Sequence, residues 1–196
     1  MTRILAFSDL HLARNRARDI VEAAREADLV IGAGDFCNMR VGLHEAMDLL
    51  WTIADKSVYV PGNAESAGEL KSATEATVLH GEAVETQGLT IFGIGYAIPT
   101  TPFGEWSCDL SEAVAATMLD QMESADILIS HSPPKGVVDQ DRAGRSLGSR
   151  AVQAAIERVQ PQFCFCGHIH DSWGKSGRIG ETKVRNLGPT VNWFEI

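Results

Sequence analysis

Apolar residues along this chain fall into two patterns. Short unbroken runs suit strands buried on both faces, and stretches with apolar residues every three or four positions suit helices with one buried side. Arg3 to Phe7 is the first run and ends in Ser8-Asp9-Leu10-His11. Ile20, Val21, Ala24 and Ala27 place a helix over about Asn15 to Glu26. Leu29 to Ala33 reads as a second strand, closing on Gly34-Asp35-Phe36-Cys37-Asn38, and Leu43, Ala46, Met47, Leu50, Trp51 and Ala54 share one face of a second helix. Val58-Tyr59-Val60 is a third strand, stopped by Pro61 and followed by Gly62-Asn63-Ala64-Glu65. A β-α-β-α-β order of this kind predicts a parallel sheet with right-handed crossovers.

The texture then changes. Thr77 to Gly95 carries short apolar runs separated by Gly81 and Gln87-Gly88, which predicts antiparallel strands joined by turns. A loop rich in Pro, Thr and Gly follows, with Phe103 and Trp106 at its far end. A helix over Ser111 to Glu123 begins at a capping-box-like Asp109-Leu110-Ser111-Glu112. Asp126 to Ser130 is another buried strand and ends at His131. A long loop leads to a helix over Ser149 to Val159, and Phe163-Cys164-Phe165-Cys166 forms the strand that runs into Gly167-His168-Ile169-His170. Glycine-punctuated strands fill Trp173 to Asn186, and a last strand lies near Trp193 to Ile196. No repeat or linker interrupts the pattern, so residues 1–196 read as a single α/β domain.

Charge narrows the partners. The formal net charge of −9 opposes a general grip on a nucleic-acid backbone and leaves a small molecule as the expected ligand. No apolar run reaches the length of a membrane span, and the first residues lack the apolar stretch of a signal peptide. Cys37, Cys108, Cys164 and Cys166 form no C-x-x-C pair, which fits reduced thiols and a cytoplasmic location. No oligomeric state is specified.

Each buried strand ends in residues that can hold a metal: Asp9 and His11, Asp35, Asn63, His131, then His168 and His170. Asp9 to Asp35 is 26 residues and Asp35 to Asn63 is 28, one βα unit each. Each has a bland alternative: Asp9 as a helix cap, Asp35 in an Asx-turn, Asn63 in a Gly-Asn turn, His131 as a satisfied core histidine. Five clusters at one sheet edge favour convergence, because sites in open α/β sheets form at the strands' carboxyl ends. Seven nitrogen and oxygen donors exceed the needs of one ion and suit two that share a carboxylate. Such a pair, spaced about 3.5–4 Å, can hold a bridging hydroxide and clamp a phosphoryl group. Aspartate and histidine donors without thiolate point to Mn, Fe or Zn.

The ordered set Asp-x-His, Gly-Asp, Gly-Asn, His and Gly-His-x-His, from Asp9 to His170, resembles the calcineurin-like metallophosphoesterase superfamily. Residues from Ser130 onward are similar to its small single-domain phosphodiesterase-like branch. The resemblance implies a two-sheet β-sandwich flanked by helices, a four-layer α-β-β-α arrangement, with the metal site at strand carboxyl ends. It assigns Asp9, His11 and His170 to one metal, Asn63, His131 and His168 to the other, and Asp35 to both. Catalysis through Asp35, Asn63 and His131 is then phosphoester hydrolysis, with a phosphodiester the expected substrate. The chain departs from the family at Ala64, where many members carry a histidine able to protonate the leaving group. The alternative is a catalytically weak scaffold or protein-binding subunit.

Several further residues admit two readings. Lys135, Arg142, Arg145 and Arg150 make the loop after His131 locally basic, either to meet a substrate phosphate or as solvated partners of Asp139 and Asp141. Asn38 reads either as a phosphate contact or as a turn residue. Phe103 and Trp106 could wall a base or ring, and Phe103 reads first as a lid over the core. Gly144-Arg145-Ser146-Leu147-Gly148 matches a serine-hydrolase nucleophile pattern but lacks the strand before it and the acid after it. Gly174-Lys175-Ser176 lacks the upstream glycine of a phosphate-binding loop.

Overall fold

A computed structural model describes residues 1–196. Two sheets face each other. The first is built from β1 (Arg3–Phe7), β2 (Leu29–Gly32), β3 (Ser57–Tyr59), β4 (Thr77–Val78) and β11 (Asn192–Glu195), in the order β11-β1-β2-β3-β4. The second holds β5 (Glu82–Thr86), β6 (Leu89–Ile94), β7 (Ile127–Ser130), β8 (Phe163–Cys166), β9 (Ser176–Ile179) and β10 (Thr182–Asn186), in the order β5-β6-β7-β8-β10-β9. Helices α1 (Arg14–Ala23), α2 (Leu43–Leu50) and α3 (Ala67–Ala73) belong to the first half of the chain, and α4 (Glu112–Leu119) and α5 (Arg150–Val159) to the second.

Side-chain alternation along each strand explains the four layers. Ile4, Ala6, Leu29 and Ile31 pack with Ile127, Ile129, Phe163 and Phe165 in the space between the sheets. Their neighbours Leu5, Phe7 and Val30 point the other way, into a cluster with Ile20 of α1, Met47 and Leu50 of α2, and Leu70 of α3. Leu128, Cys164 and Cys166 likewise join Ala115 and Leu119 of α4 and Val152 and Ile156 of α5. Both faces of these strands are apolar, which is why they read as unbroken runs rather than as alternation. The layers are α-β-β-α, as the resemblance implies.

Several local expectations change. The second helix stops at Leu50 and tightens into a 3-10 segment, Trp51–Lys56, which rotates Trp51 out to 73% exposure, away from the apolar face. Thr77–Val78 pairs parallel with β3 rather than antiparallel with its successor, and only β5 and β6 form the expected hairpin. Helix α3 lay unseen behind a mixed sequence, although Ser66 and Glu69 form a reciprocal capping box at its start. At α4 the expected box is absent: Ser111 caps through the Val114 amide, while Asp109 accepts from Thr101 and Ser107.

Glu112 is used elsewhere. Its carboxylate accepts from the Arg150 and Ala151 amides and from the Ser149 hydroxyl, at 2.8–2.9 Å, and so caps α5 from α4. A carboxylate at a helix N-terminus satisfies donors that have no partner inside the helix and complements the helix dipole. Glu112→Ala is expected to cost about 1–2 kcal/mol, read as a fall in the urea midpoint with an unchanged m-value.

Candidate metal centre

The carboxyl ends of β1, β2, β3, β7 and β8 meet at one rim, and all seven sequence-predicted residues arrive there. Asp9, Asp35, Asn63 and His131 are buried, at 1%, 4%, 2% and 0% exposure, whereas the His11 and His170 side chains remain 28% and 48% accessible. The site therefore has a dry floor and an open mouth. Close approach of the strand-end loops needs residues without a Cβ: at Gly62 it would overlap the carboxylate and amide of Asp35, and at Gly167 it would meet Ser8 Oγ at 2.6 Å.

Backbone conformation is unusual here. Asp9, His11, Asp35 and His168 all take positive φ, at 53°, 44°, 58° and 65°. Left-handed backbone is costly for residues with a Cβ and persists where the surroundings enforce it, commonly at functional sites. These four turns aim side chains across the strand ends toward one another.

The hydrogen bonds leave free the atoms a cation would use. His131 Nδ1 lies 2.7 Å from the Ala33 carbonyl, so it carries the proton and Nε2 does not in the neutral ring. That Nε2 faces Asn63 Oδ1 at 3.2 Å and Asp35 Oδ1 at 3.5 Å. His11 Nδ1 is tied to the Cys37 carbonyl at 3.1 Å, and its Nε2 faces Asp35 Oδ2 at 3.5 Å and His170 Nε2 at 3.3 Å. Lone pairs on nitrogen and carboxylate oxygen repel one another in this arrangement unless a proton or a metal cation stands among them. Donor atoms of Asp9, His11, Asp35 and His170 lie within 4.8 Å of one another, and so do those of Asp35, His131 and His168, with Asp35 common to both groups.

Electrostatics agree. Burial disfavours the charged form of Asp35, yet His131, His11 and His168 outweigh it and hold its carboxyl well below the usual range. Burial disfavours charge on His131 too, and Asp35 more than offsets this, lifting it to about 9. His168 is pushed down to about 3 by burial and by its neighbour His131. A strongly perturbed mixture of carboxylate and imidazoles in one cleft is the signature of a functional site.

Supporting residues escaped sequence reasoning. Trp173 Nε1 donates to Asp9 Oδ2 at 2.9 Å, and the His168 amide donates to Asp9 Oδ1 at 3.0 Å. Ser107 Oγ accepts from Asn63 Nδ2 at 3.1 Å, which turns the amide oxygen of Asn63 inward, and Ser107 is itself anchored on Asp109. Glu65, fully buried, takes the amides of Gly62, Asp35, Phe36 and Cys37 and so locks the loop after β2 to the loop after β3. The Gly-Asn-x-Glu pattern was visible, but nothing in one sequence tells a solvated glutamate from one that four amides surround.

The cleft over these residues measures about 410 Å³ and is walled by Phe103 and Trp106, whose rings stack at 5.6 Å between centroids with planes 7° apart. Phe103 is 51% exposed and lines this cleft with Trp106, so the wall reading holds and the lid over the core does not, because half of the side chain is open to solvent. Neither Lys nor Arg lines the cleft, while Asp141 and Asp171 do. Arg145 pairs with Asp141 at 2.7 Å, Lys135 donates to the Ser146 carbonyl at 2.6 Å, and Arg142 and Arg150 are exposed. Asp139 serves no cation, accepting instead from Gly136, Gly148 and the Ser146 hydroxyl. Asn38 is a turn residue whose amide holds the His11 carbonyl at 3.2 Å. Ala64 is buried in the cluster beneath α2 and α3, so its methyl group faces away from the cleft.

Comparison with known proteins agrees with this fold. The family model for the calcineurin-like phosphoesterase superfamily domain matches residues 2–194. A UPF0046 protein of Caenorhabditis elegans is 28% identical over 172 residues, covering 76% of this chain, which spans only 58% of that relative's length. A solved protein of Thermus thermophilus superposes with a TM-score of 0.76 over 98% of both chains at 16% identity. A dimetal phosphatase of Danio rerio superposes with a TM-score of 0.63 at 14% identity, over 96% of this chain and 88% of its own. At these identities the two structures establish likeness of fold.

Proposed function

The chain belongs to the calcineurin-like phosphoesterase superfamily, and from that premise we propose that it hydrolyses phosphodiesters with two divalent metal ions, Mn, Fe or Zn. Asp9, His11 and His170 would hold one ion, Asn63, His131 and His168 the other, and Asp35 would hold both. When bound, such a pair supplies a hydroxide at neutral pH and Lewis acidity toward the phosphoryl oxygens. The observation that carries this reading is the placement of Asp35, with one carboxylate oxygen 3.5 Å from His11 Nε2 and the other 3.5 Å from His131 Nε2.

The chain's own residues set the rest. Ala33 and Cys37 carbonyls each accept from Nδ1 of His131 and His11, so that Nε2 of the neutral ring is the one aimed inward. Ser107 fixes the Asn63 amide, and Trp173 fixes the Asp9 carboxylate. The stacked Phe103 and Trp106 offer a wall for a planar substituent. Beyond the metal donors the cleft is lined by no Lys or Arg, so no side chain there pairs the second negative charge of a monoester. Ala64 donates no proton, so leaving groups that are already acidic are favoured; a missing general acid costs about 10²–10⁴-fold for poor ones.

Purified protein loaded with Mn is therefore expected to turn over activated aryl diesters at least about a hundredfold faster than alkyl monoesters. Equal rates on the two would contradict the diester reading. Two bound ions with no turnover on any ester, together with a stable protein partner in pull-downs, would favour the scaffold alternative.

A further inference from the structure

A second cavity, of about 570 Å³, shares no lining residue with the metal cleft. It opens where the second sheet runs past the edge of the first, so that β10 and β9 present their inner face to solvent beside β11. Phe163, at the start of β8, and Phe194 of β11 provide an aromatic floor. Arg178, Lys183 and Arg185 stand over it.

Charged residues are ordinary on an edge strand such as β9, but here like charges face one another. Arg178 and Lys183 are directly opposed across the antiparallel β9–β10 pair, and Arg185 follows two residues on, on the same face. Like charges in directly opposed positions destabilise a sheet. Of the chain's 17 Lys and Arg residues, six sit in ion pairs with carboxylates, and these three are among the others. Lys183 Nζ lies 5.0 Å from the centre of the Phe163 ring, Arg178 reaches only the Glu181 carbonyl, and Arg185 is held by the neutral oxygens of Asn192 and Ser176 at 2.9–3.3 Å. Glu195 is the single carboxylate of the lining and forms no ion pair with them. Asn192 and Ser176 thus orient the Arg185 guanidinium without neutralising it.

The geometry points to a second ligand site: a groove for a small organic anion that carries at least two negative charges and a flat ring. An anion would relieve the repulsion among Arg178, Lys183 and Arg185, and its ring would lie on the aromatic floor. The cavity falls within the range of small-molecule pockets, and the net charge of −9 over the whole chain disfavours a long polyanion.

Titration calorimetry with ADP, pyrophosphate and adenosine, in the presence of a chelator, tests this without any metal at the first cleft. ADP is expected to bind, more tightly than pyrophosphate, and to weaken as salt is raised; adenosine is not expected to bind. Arg178→Ala with Lys183→Ala should weaken ADP at least about tenfold. Lys183→Gln keeps the side-chain stem over Phe163 and tests the charge alone, with weaker ADP binding again expected. Asp35→Asn should leave ADP binding unchanged. The inference is overturned if ADP does not bind, if binding survives the double variant, or if Asp35→Asn abolishes it. Equal affinities for ADP and pyrophosphate overturn the ring-binding part. A change in molecular mass of the double variant by light scattering would make the groove an interface between copies and overturn the site as stated.

Discussion

Asp35→Asn is expected to reduce kcat/KM on aryl diesters by at least about a thousandfold, equivalent to a loss of roughly 4 kcal/mol of transition-state stabilisation. The change is isosteric, and the Oδ1 acceptor that takes the Ala64 amide at 2.8 Å survives it. What goes is the negative charge shared by the two donor groups. The amide nitrogen that replaces Oδ2 would turn a donor toward His11, where an acceptor for a cation is required. Metal content measured beside activity separates the cause: the variant should lose metal as well as turnover and keep its fold by circular dichroism. His131 loses the carboxylate that lifts it to about 9 and should titrate lower, visible in imidazole proton shifts of the metal-free protein.

Glu65→Ala is expected to be the most destabilising single change at the site, by on the order of 3–5 kcal/mol. Four buried amides, from Gly62, Asp35, Phe36 and Cys37, would lose their acceptor at once. Each donor left buried without a partner costs about 1–3 kcal/mol, and relaxation or entering water recovers part of the sum. For a chain of this length the melting temperature should fall by about 10 °C. Glu65→Gln keeps an acceptor oxygen but sets an amide NH₂ against donors, so it should fall between wild type and Glu65→Ala.

The strand-end positions were legible in the sequence because each follows an unbroken apolar run, and such runs are hard to mistake. Asp9, Asp35, Asn63, His131 and the Gly167–His170 segment could be ordered along one rim from the β-α-β rhythm alone. What one sequence hides is partnership. Glu65, Ser107 and Trp173 are polar or amphipathic residues in loops, and their roles depend on chain segments up to 164 residues away, as Trp173 is from Asp9. The same blindness misdirected local readings. Asp109 looked like the start of a capping box but belongs to the Thr101–Ser107 network, and Glu112 caps a helix 38 residues downstream. Trp51 matched the helical period only because the period assumes that the helix continues; the switch to 3-10 geometry at that residue undid it. For the basic loop after His131 the solvated reading holds at Arg145, which pairs with Asp141, and the cleft itself is lined by no Lys or Arg.

The two-metal proposal rests on the number of metal ions held per chain by the wild type and by His168→Ala and His170→Ala, measured by elemental analysis after Mn reconstitution and desalting. Two ions in the wild type and one in each variant are predicted, because the two histidines serve different donor groups that meet only at Asp35. One ion or none in the wild type, or two retained in both variants, would contradict it.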